Sequence, residues 1–114
     1  MKIEHELFKI WFEENQNTVF FEGSLRLWDP TEYTRIKKML LEIYDLEISD
    51  LTMDFLNLNF LNSSGISTLV KFIFEAKKIN KHKICIIGNK EILWQKKSFE
   101  NLTKIWPEIE LVMK

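Results

Sequence analysis

The sequence predicts a single α/β domain over residues 1–114, with a mixed, mostly parallel sheet of about four to five strands, an antiparallel N-terminal edge and helices packed on the sheet. Three observations carry this expectation. Two apolar segments, 7–12 and 18–27, are joined by the polar run Glu13-Glu14-Asn15-Gln16-Asn17, a turn short enough for antiparallel neighbours. Further apolar segments at 51–55, 83–87 and 109–112 alternate with helical patterns, which gives the order β-β-α-β-α-β-α-β. Strands joined through helical crossovers run parallel, so only the first hairpin is expected to be antiparallel.

Each element has its own signal. Gly23 interrupts the second strand. Asp29-Pro30-Thr31-Glu32 reads as a helix start, with Asp29 as N-cap, Pro30 as first helical residue and Glu32 placed to close a capping box. Tyr33, Ile36, Met39, Leu40 and Ile43 follow on one face. The short apolar strand 51–55 is expected to be central, and 56–61 forms an irregular Leu/Asn alternation leading to Asn62. A long helix over 64–79 is read from Ile66, Leu69, Val70, Ile73, Phe74 and Ala76, with Thr68, Lys71, Glu75 and Lys78 on the polar side. The strand 83–87 ends at Gly88, and a last helix within 91–106 stops before Pro107.

Composition excludes several function classes. An apolar fraction of 46% with nine Phe and four Trp supplies a packed interior and argues against a disordered chain. Sixteen basic and seventeen acidic residues leave a net charge of −1, so no global field attracts a nucleic acid. Lys37-Lys38, Lys77-Lys78 and Lys96-Lys97 read as solvated helix faces. The single cysteine, Cys85, excludes an intramolecular disulfide and reads as a buried strand thiol. No apolar run approaches the ~20 residues of a membrane span and the N-terminus lacks a signal-peptide core, so a cytoplasmic location is expected. His5 and His82 stand without ligand partners, no glycine-rich phosphate loop is present, and no nucleophile–base set stands out, so neither metal nor cofactor nor catalysis is expected. Asp54 stands where a receiver domain carries its phosphoacceptor, yet the remaining receiver residues are missing, and it reads as a hydrogen-bonded strand-end aspartate.

The most informative stretch is Asn62-Ser63-Ser64-Gly65, where strand passes into helix. A serine there has two uses. It can cap orphan backbone N–H groups, or it can carry a phosphate that those groups and the helix dipole stabilise. Asn62 is a second candidate cap, which would leave Ser64 free; Ser63 reads as structural, and Gly65 as allowing close approach of a partner or neighbouring loop.

Three features, spanning nearly the whole chain, resemble the STAS family of anti-sigma-factor antagonists and sulfate-transporter tails. Glu22-Gly23-Ser24-Leu25-Arg26 is similar to that family's Gly-x-Leu-Asp turn. Leu51-Thr52-Met53-Asp54-Phe55 through Phe60-Leu61-Asn62-Ser63-Ser64-Gly65-Ile66 is similar to its strand, loop and Asp-Ser-Ser-Gly-Leu signature. The fourth strand and final helix fall at the expected distances. The chain is also similar to a bacterial branch of regulators bearing Phe-Glu-Gly-Ser-Leu-Arg-Leu, Leu-Asn-Ser-Ser-Gly-Ile and Trp-Gln-x-Lys-Ser, here residues 21–27, 61–66 and 94–98.

The resemblance implies a STAS-like layered fold and a non-catalytic partner switch in signal transduction. A histidine-kinase-like serine kinase, itself of the anti-sigma type, would phosphorylate Ser64, a metal-dependent serine phosphatase would reverse this, and only the unmodified form would bind its partner. Two departures bear on the partner: the family's acid before the serines is Asn62 here, and its acid after Gly-x-Leu is Arg26. A phosphate on Ser64 would add a charge of about −1.5 to −2 beside unpaired N–H groups, blocking a contact without refolding the domain. The sequence supplies no Arg cluster that would clamp the phosphate internally, with Arg26 or Lys71 as the cations that could approach it.

The partner-binding surface is expected to comprise Asn62, Ser63, Gly65, Ile66 and Phe72, with Phe72 as an exposed apolar contact, and to leave room for a homo-oligomer. Trp28, Trp94 and Trp106 are expected to be buried caps of the core. Two alternatives stay open. One is a constitutive scaffold subunit that is never phosphorylated; the other is a small-ligand domain, which requires convergent polar groups in a pocket near Ser64.

Overall fold

The computed structural model describes all residues from Met1 to Lys114. Six strands and three helices follow the expected alternation, with one additional strand at the start. They are β1 (Lys2–Glu4), β2 (Phe8–Glu13), β3 (Thr18–Leu25), α1 (Pro30–Tyr44), β4 (Leu51–Leu61), α2 (Ser63–Ile79), β5 (Ile84–Gly88), α3 (Leu93–Ile105) and β6 (Glu110–Met113). A single 3-10 turn (Glu14–Gln16) forms the polar connection between β2 and β3, closed by Asn17 in the left-handed region at φ 48°. No helix is long and apolar enough to cross a membrane.

The strands lie in the sheet in sequence order, β1 to β6. The pairs β1–β2 and β2–β3 are antiparallel, and the remaining three are parallel. This is the STAS-like layered arrangement expected, with its antiparallel N-terminal edge. Because the order never reverses, right-handed crossovers place every helix on the same face. Burial follows this rule: Val19, Phe21, Leu51, Met53, Phe55, Ile84 and Ile86 are buried, while Phe20, Thr52, Asp54, Cys85 and Ile87 alternate with them and stay half-buried on the uncovered face. There Trp11 stacks on Phe20 at 5.2 Å, with the Lys9 ammonium 4.5 Å above the indole. A doubly wound fold binds ligands where strand order reverses; this sheet has no such crevice. The loops and helix ends at the carboxyl edge of the parallel strands include the Asn62–Gly65 turn between β4 and α2.

Two features of the sheet position that edge. Gly23 takes φ +96°, and a Cβ there would fall on the Leu7 carbonyl oxygen and within 2.9 Å of the Phe8 Cα, so the hairpin tolerates no side chain at this point. The second feature is the length of β4. The expected strand ended at Phe55, but β4 continues to Leu61, beyond the four residues that pair with β5. Its carbonyls past that point are satisfied by side chains of the β5–α3 region. The Gln95 amide donates to Phe55 O at 2.8 Å and Leu58 O at 3.0 Å; Asn89 Nδ2 donates to Leu56 O at 3.1 Å; the Trp94 indole donates to Asn59 O at 3.0 Å. Gln95 is fully buried and its Oε1 accepts the Asn89 amide N–H at 2.7 Å. The segment stays extended as far as Leu61 because it pairs with β3 to its end, while the side chains of Asn89, Trp94 and Gln95 stand in for β5 on its other edge.

Candidate functional site

Where β4 ends, Asn62 turns the chain into α2. Its backbone is extended (φ −80°, ψ 174°) and its Oδ1 accepts the Gly65 N–H at 2.9 Å, the geometry of an N-cap. The same oxygen accepts the Tyr33 hydroxyl, whose oxygen in turn accepts the Leu27 N–H at 3.1 Å. Asn62 Nδ2 donates to Leu27 O at 3.3 Å. One amide thus ties the start of α2 to the β3–α1 connection and to α1. A carboxylate at this position would keep the acceptor and lose the donor, which gives a physical reason for Asn where the STAS signature has an acid.

With Asn62 as cap, Ser64 occupies the second position of α2 and its hydroxyl is not needed to end the helix. Ser63 and Ser64 are both exposed. Their backbone N–H groups belong to the first turn and have no intrahelical partner. Gly65 is buried, and a Cβ there would strike the Leu61 side chain. The close approach it permits is therefore to Leu61 in the domain's own core. Ile66 is half-buried against the core.

Ser64 opens onto a recess of about 240 Å³ between the outer surfaces of α1 and α2. Trp28, Thr34, Lys37, Ser67 and Lys71 also line it. The Lys37 ammonium stands 3.6 Å from the Glu75 carboxylate, whereas Lys71 forms no ion pair. Thr68, at the base of the recess, is buried with its hydroxyl donated to Ser64 O at 2.8 Å. Between the lining residues Trp28 and Pro30 in the sequence, Asp29 caps α1 through Thr31; hydrogen bonds from the Thr31 hydroxyl and then its N–H hold the Asp29 carboxyl below its usual range. The expected reciprocal bond from Glu32 is not formed: its backbone N–H donates to Asp29 O at 3.1 Å, as in an ordinary helix start.

Several expectations are corrected here. Phe72 is fully buried and makes an edge-on contact with Tyr44, so it is not an exposed apolar contact; Phe74 is 48% exposed instead. The buried stripe of α2 is Gly65, Thr68, Leu69, Phe72, Ile73 and Ala76. Thr68 can join it because its hydroxyl is satisfied within the helix, and this rotates the stripe toward Phe72. Trp28 is 91% exposed, contrary to expectation, whereas Trp106 is buried and Trp94 half-buried. Arg26 does not line the recess; its guanidinium lies 4.4 Å over the Phe60 ring. Phe60, Trp28 and Leu93, which is 92% exposed, bring apolar surface to the carboxyl edge of the sheet.

The remaining candidates have local explanations. Asp54 lies within β4 instead of ending it, and its carboxylate accepts the Leu56 N–H at 2.9 Å. Cys85 is half-buried, and burial pushes its thiol pKa up, away from a reactive thiolate. No group of three or more His, Cys, Asp or Glu side chains gathers to hold a metal. The residues that sequence reasoning missed are Tyr33, read only as a core position, and Lys37, read only as a solvated face. The spacing Tyr33, Thr34, Lys37 does place them on neighbouring positions of one helical surface, but nothing in the sequence shows which helix lies beside it.

No protein-family model matches the chain, and no curated protein matches it in sequence. Solved structures do share its fold. A chain in the crystal structure of the diguanylate cyclase SiaD in complex with its activator SiaC from Pseudomonas aeruginosa superposes with a TM-score of 0.75 at 12% identity, covering 99% of this chain and 97% of that one. SiaC of Pseudomonas aeruginosa gives a TM-score of 0.71 at 12% identity, with 100% and 96% covered. Apo-SiaC from the same organism gives 0.63 at 11% identity, with 100% and 98% covered. At these identities the likeness is one of fold, and it extends over essentially the whole length of both chains.

Proposed function

We propose that this chain is a non-catalytic protein-interaction regulator whose partner binding is switched off by reversible phosphorylation of Ser64. The observation that carries the reading is the division of labour at the start of α2: Asn62 makes the cap, and the Ser64 hydroxyl stands exposed beside unpaired N–H groups. A phosphate there meets favourable backbone dipoles and requires no unfolding. The partner surface is the carboxyl edge around Asn62, Ser63 and Ser64, together with exposed Trp28, Phe60 and Leu93. An exposed tryptophan such as Trp28 is a common binding anchor. Introducing a dianion next to them would impose repulsion and desolvation of several kcal/mol, roughly orders of magnitude in occupancy.

The fold shared with SiaC, described as the activator of a diguanylate cyclase, supports a signalling enzyme as the class of target. A serine kinase of the histidine-kinase-like class and a serine phosphatase would set the state of Ser64. Phosphopeptide mapping across residues 62–71, on protein from its own cells, tests the modification. Phosphate on Ser64, together with loss of partner binding and unchanged circular dichroism in Ser64→Asp, is the expected result. An unmodified Ser64 under several growth conditions overturns the switch and favours a constitutive scaffold, which the same exposed apolar edge would serve. The polar recess beside Ser64 is also what a small-ligand site requires; a protein partner that binds with Ser64 unmodified and no added ligand argues against that alternative.

A further inference from the structure

The recess beside Ser64 has a composition that the switch alone does not call for. It receives one lysine from each of two helices, Lys37 and Lys71, and no carboxylate lines it, although the chain as a whole is slightly acidic. Lys71 lies two helical turns beyond Ser64, about 10 Å along the axis. Side chains on a helix lean toward its N-terminus, so Lys71 extends in the direction of Ser64 and not away from it. Lys37 enters from α1 on the opposite wall. Its one partner is Glu75, at 3.6 Å, and the Lys37 side chain is 28% exposed. The hydroxyls of Thr34 and Ser67 complete a polar lining.

We propose that this recess is an internal phosphate clamp: once Ser64 is phosphorylated, Lys37 and Lys71 converge on its phosphate and hold it between α1 and α2. The inference rests on the proposed modification of Ser64 and adds how the protein itself reads it. A phosphate competes with Glu75 for Lys37, because it offers a second negative charge and three acceptor oxygens where Glu75 offers a partly exposed carboxylate. The modified form would then fill the recess with its own anion and draw both lysines inward. A partner that engages this surface through the lysines would lose them, in addition to meeting the new charge. The charged groups about the phosphate are Lys71 from α2 and Lys37 from α1, opposed by the Glu75 carboxylate and by Asp29, next in sequence to the lining residues Trp28 and Pro30, which Thr31 keeps ionised.

The test uses the full chain with phosphoserine installed at position 64 and follows the phosphate by phosphorus NMR as pH is varied. Two nearby ammonium groups favour the dianion, so the second ionisation should lie below that of the same chain unfolded in urea. Part of that displacement comes from the helix end. The lysine contribution is isolated by the double variant Lys37→Met, Lys71→Met, which should raise the ionisation by about half a pH unit toward the unfolded value. Lys97→Met, on the exposed surface of α3, should leave it unchanged. Equal ionisation in the parent and the double variant, with folding verified by circular dichroism, overturns the clamp. If the double variant fails to fold, Lys71→Met alone carries the decision, since Lys71 is exposed and unpaired. Because the phosphoserine is built in, this result is independent of whether cells modify Ser64. Absence of phosphate in cells would remove the switch and leave the titration standing, whereas an unchanged titration would remove the clamp and leave the switch.

Discussion

Two primary amides at opposite ends of one problem, Asn62 and Gln95, show how this fold treats structure and function differently. Both lie where backbone polar groups run out of regular partners, and both use donor and acceptor together. Gln95 is fully buried and bonds two carbonyls of β4 and one amide of the β5–α3 connection. Asn62 is half-buried and bonds Gly65, Tyr33 and Leu27. Gln95 and its two bonds to β4 carbonyls are buried, so a bond broken there is poorly replaced by water. The Asn62 network borders an exposed serine, so its loss is partly repaired by water. The same chemistry makes one region rigid and gives the other a fixed frame around an accessible hydroxyl.

The largest effect is expected at Gln95. Gln95→Leu keeps approximate volume and leaves the carbonyls of Phe55 and Leu58 and the Asn89 amide without partners, so unfolding stability should fall by about 3 kcal/mol in urea titrations. A loss below about 1 kcal/mol would mean that water enters this region and that the two amides do not differ as described.

At the other site, Asn62→Ala removes the cap and the side-chain links to Leu27 and to Tyr33 of α1, and should lower stability by about 2 kcal/mol. Asn62→Asp separates the donor from the acceptor. The carboxylate retains the bonds from Gly65 and Tyr33 and gains from the helix dipole, but sets an oxygen against Leu27 O; a net loss of about 1 kcal/mol is expected. If Asn62→Asp is as stable as the parent, the Leu27 contact does not explain the residue. Ser64→Asp, exposed and not needed as a cap, should change stability by less than about 0.5 kcal/mol while abolishing partner binding.

The smallest effect concerns pH. The Asp29 carboxyl is held below its unfolded value by Thr31, so the folded chain binds fewer protons than the unfolded one as acid is added. Its stabilisation is present above the unfolded pKa and is lost as pH falls through the lower folded pKa. Thermal melts of Asp29→Ala and the parent should therefore differ above the carboxylate range and approach one another below it. A difference that does not narrow in acid would assign the cap to something other than the charge.

Particular residues show how far the sequence could be read. The alternation of strands and helices, Asp29 as a cap, the turn at residues 13–17 and Asn62 as an alternative cap all follow from local chemistry, because turns and helix ends are satisfied by near neighbours in the chain. β1 was invisible because three residues with charged flanks carry no periodic signal. The second half of β4 carries no local signal for a different reason: it is held by pairing with β3 and by side chains some forty residues away, and strand propensity says nothing about Gln95. The phase of α2 does not follow from residue hydrophobicity alone, because a threonine bonded within its own helix can face the core.

What the sequence by itself determined was the class of the fold, the order of its elements and the position of Ser64 at the start of a helix, all set by periodicity and by bonds spanning a few residues. Tertiary structure alone decided that Asn62, not Ser64, makes the cap, that Trp28 lies in solvent while Phe72 lies in the core, and that Lys37 from α1 faces the same recess as Ser64 and Lys71. The reason is physical. A helix specifies which of its residues share a face, but only packing against a second helix determines which face is covered and which side chains meet across the gap.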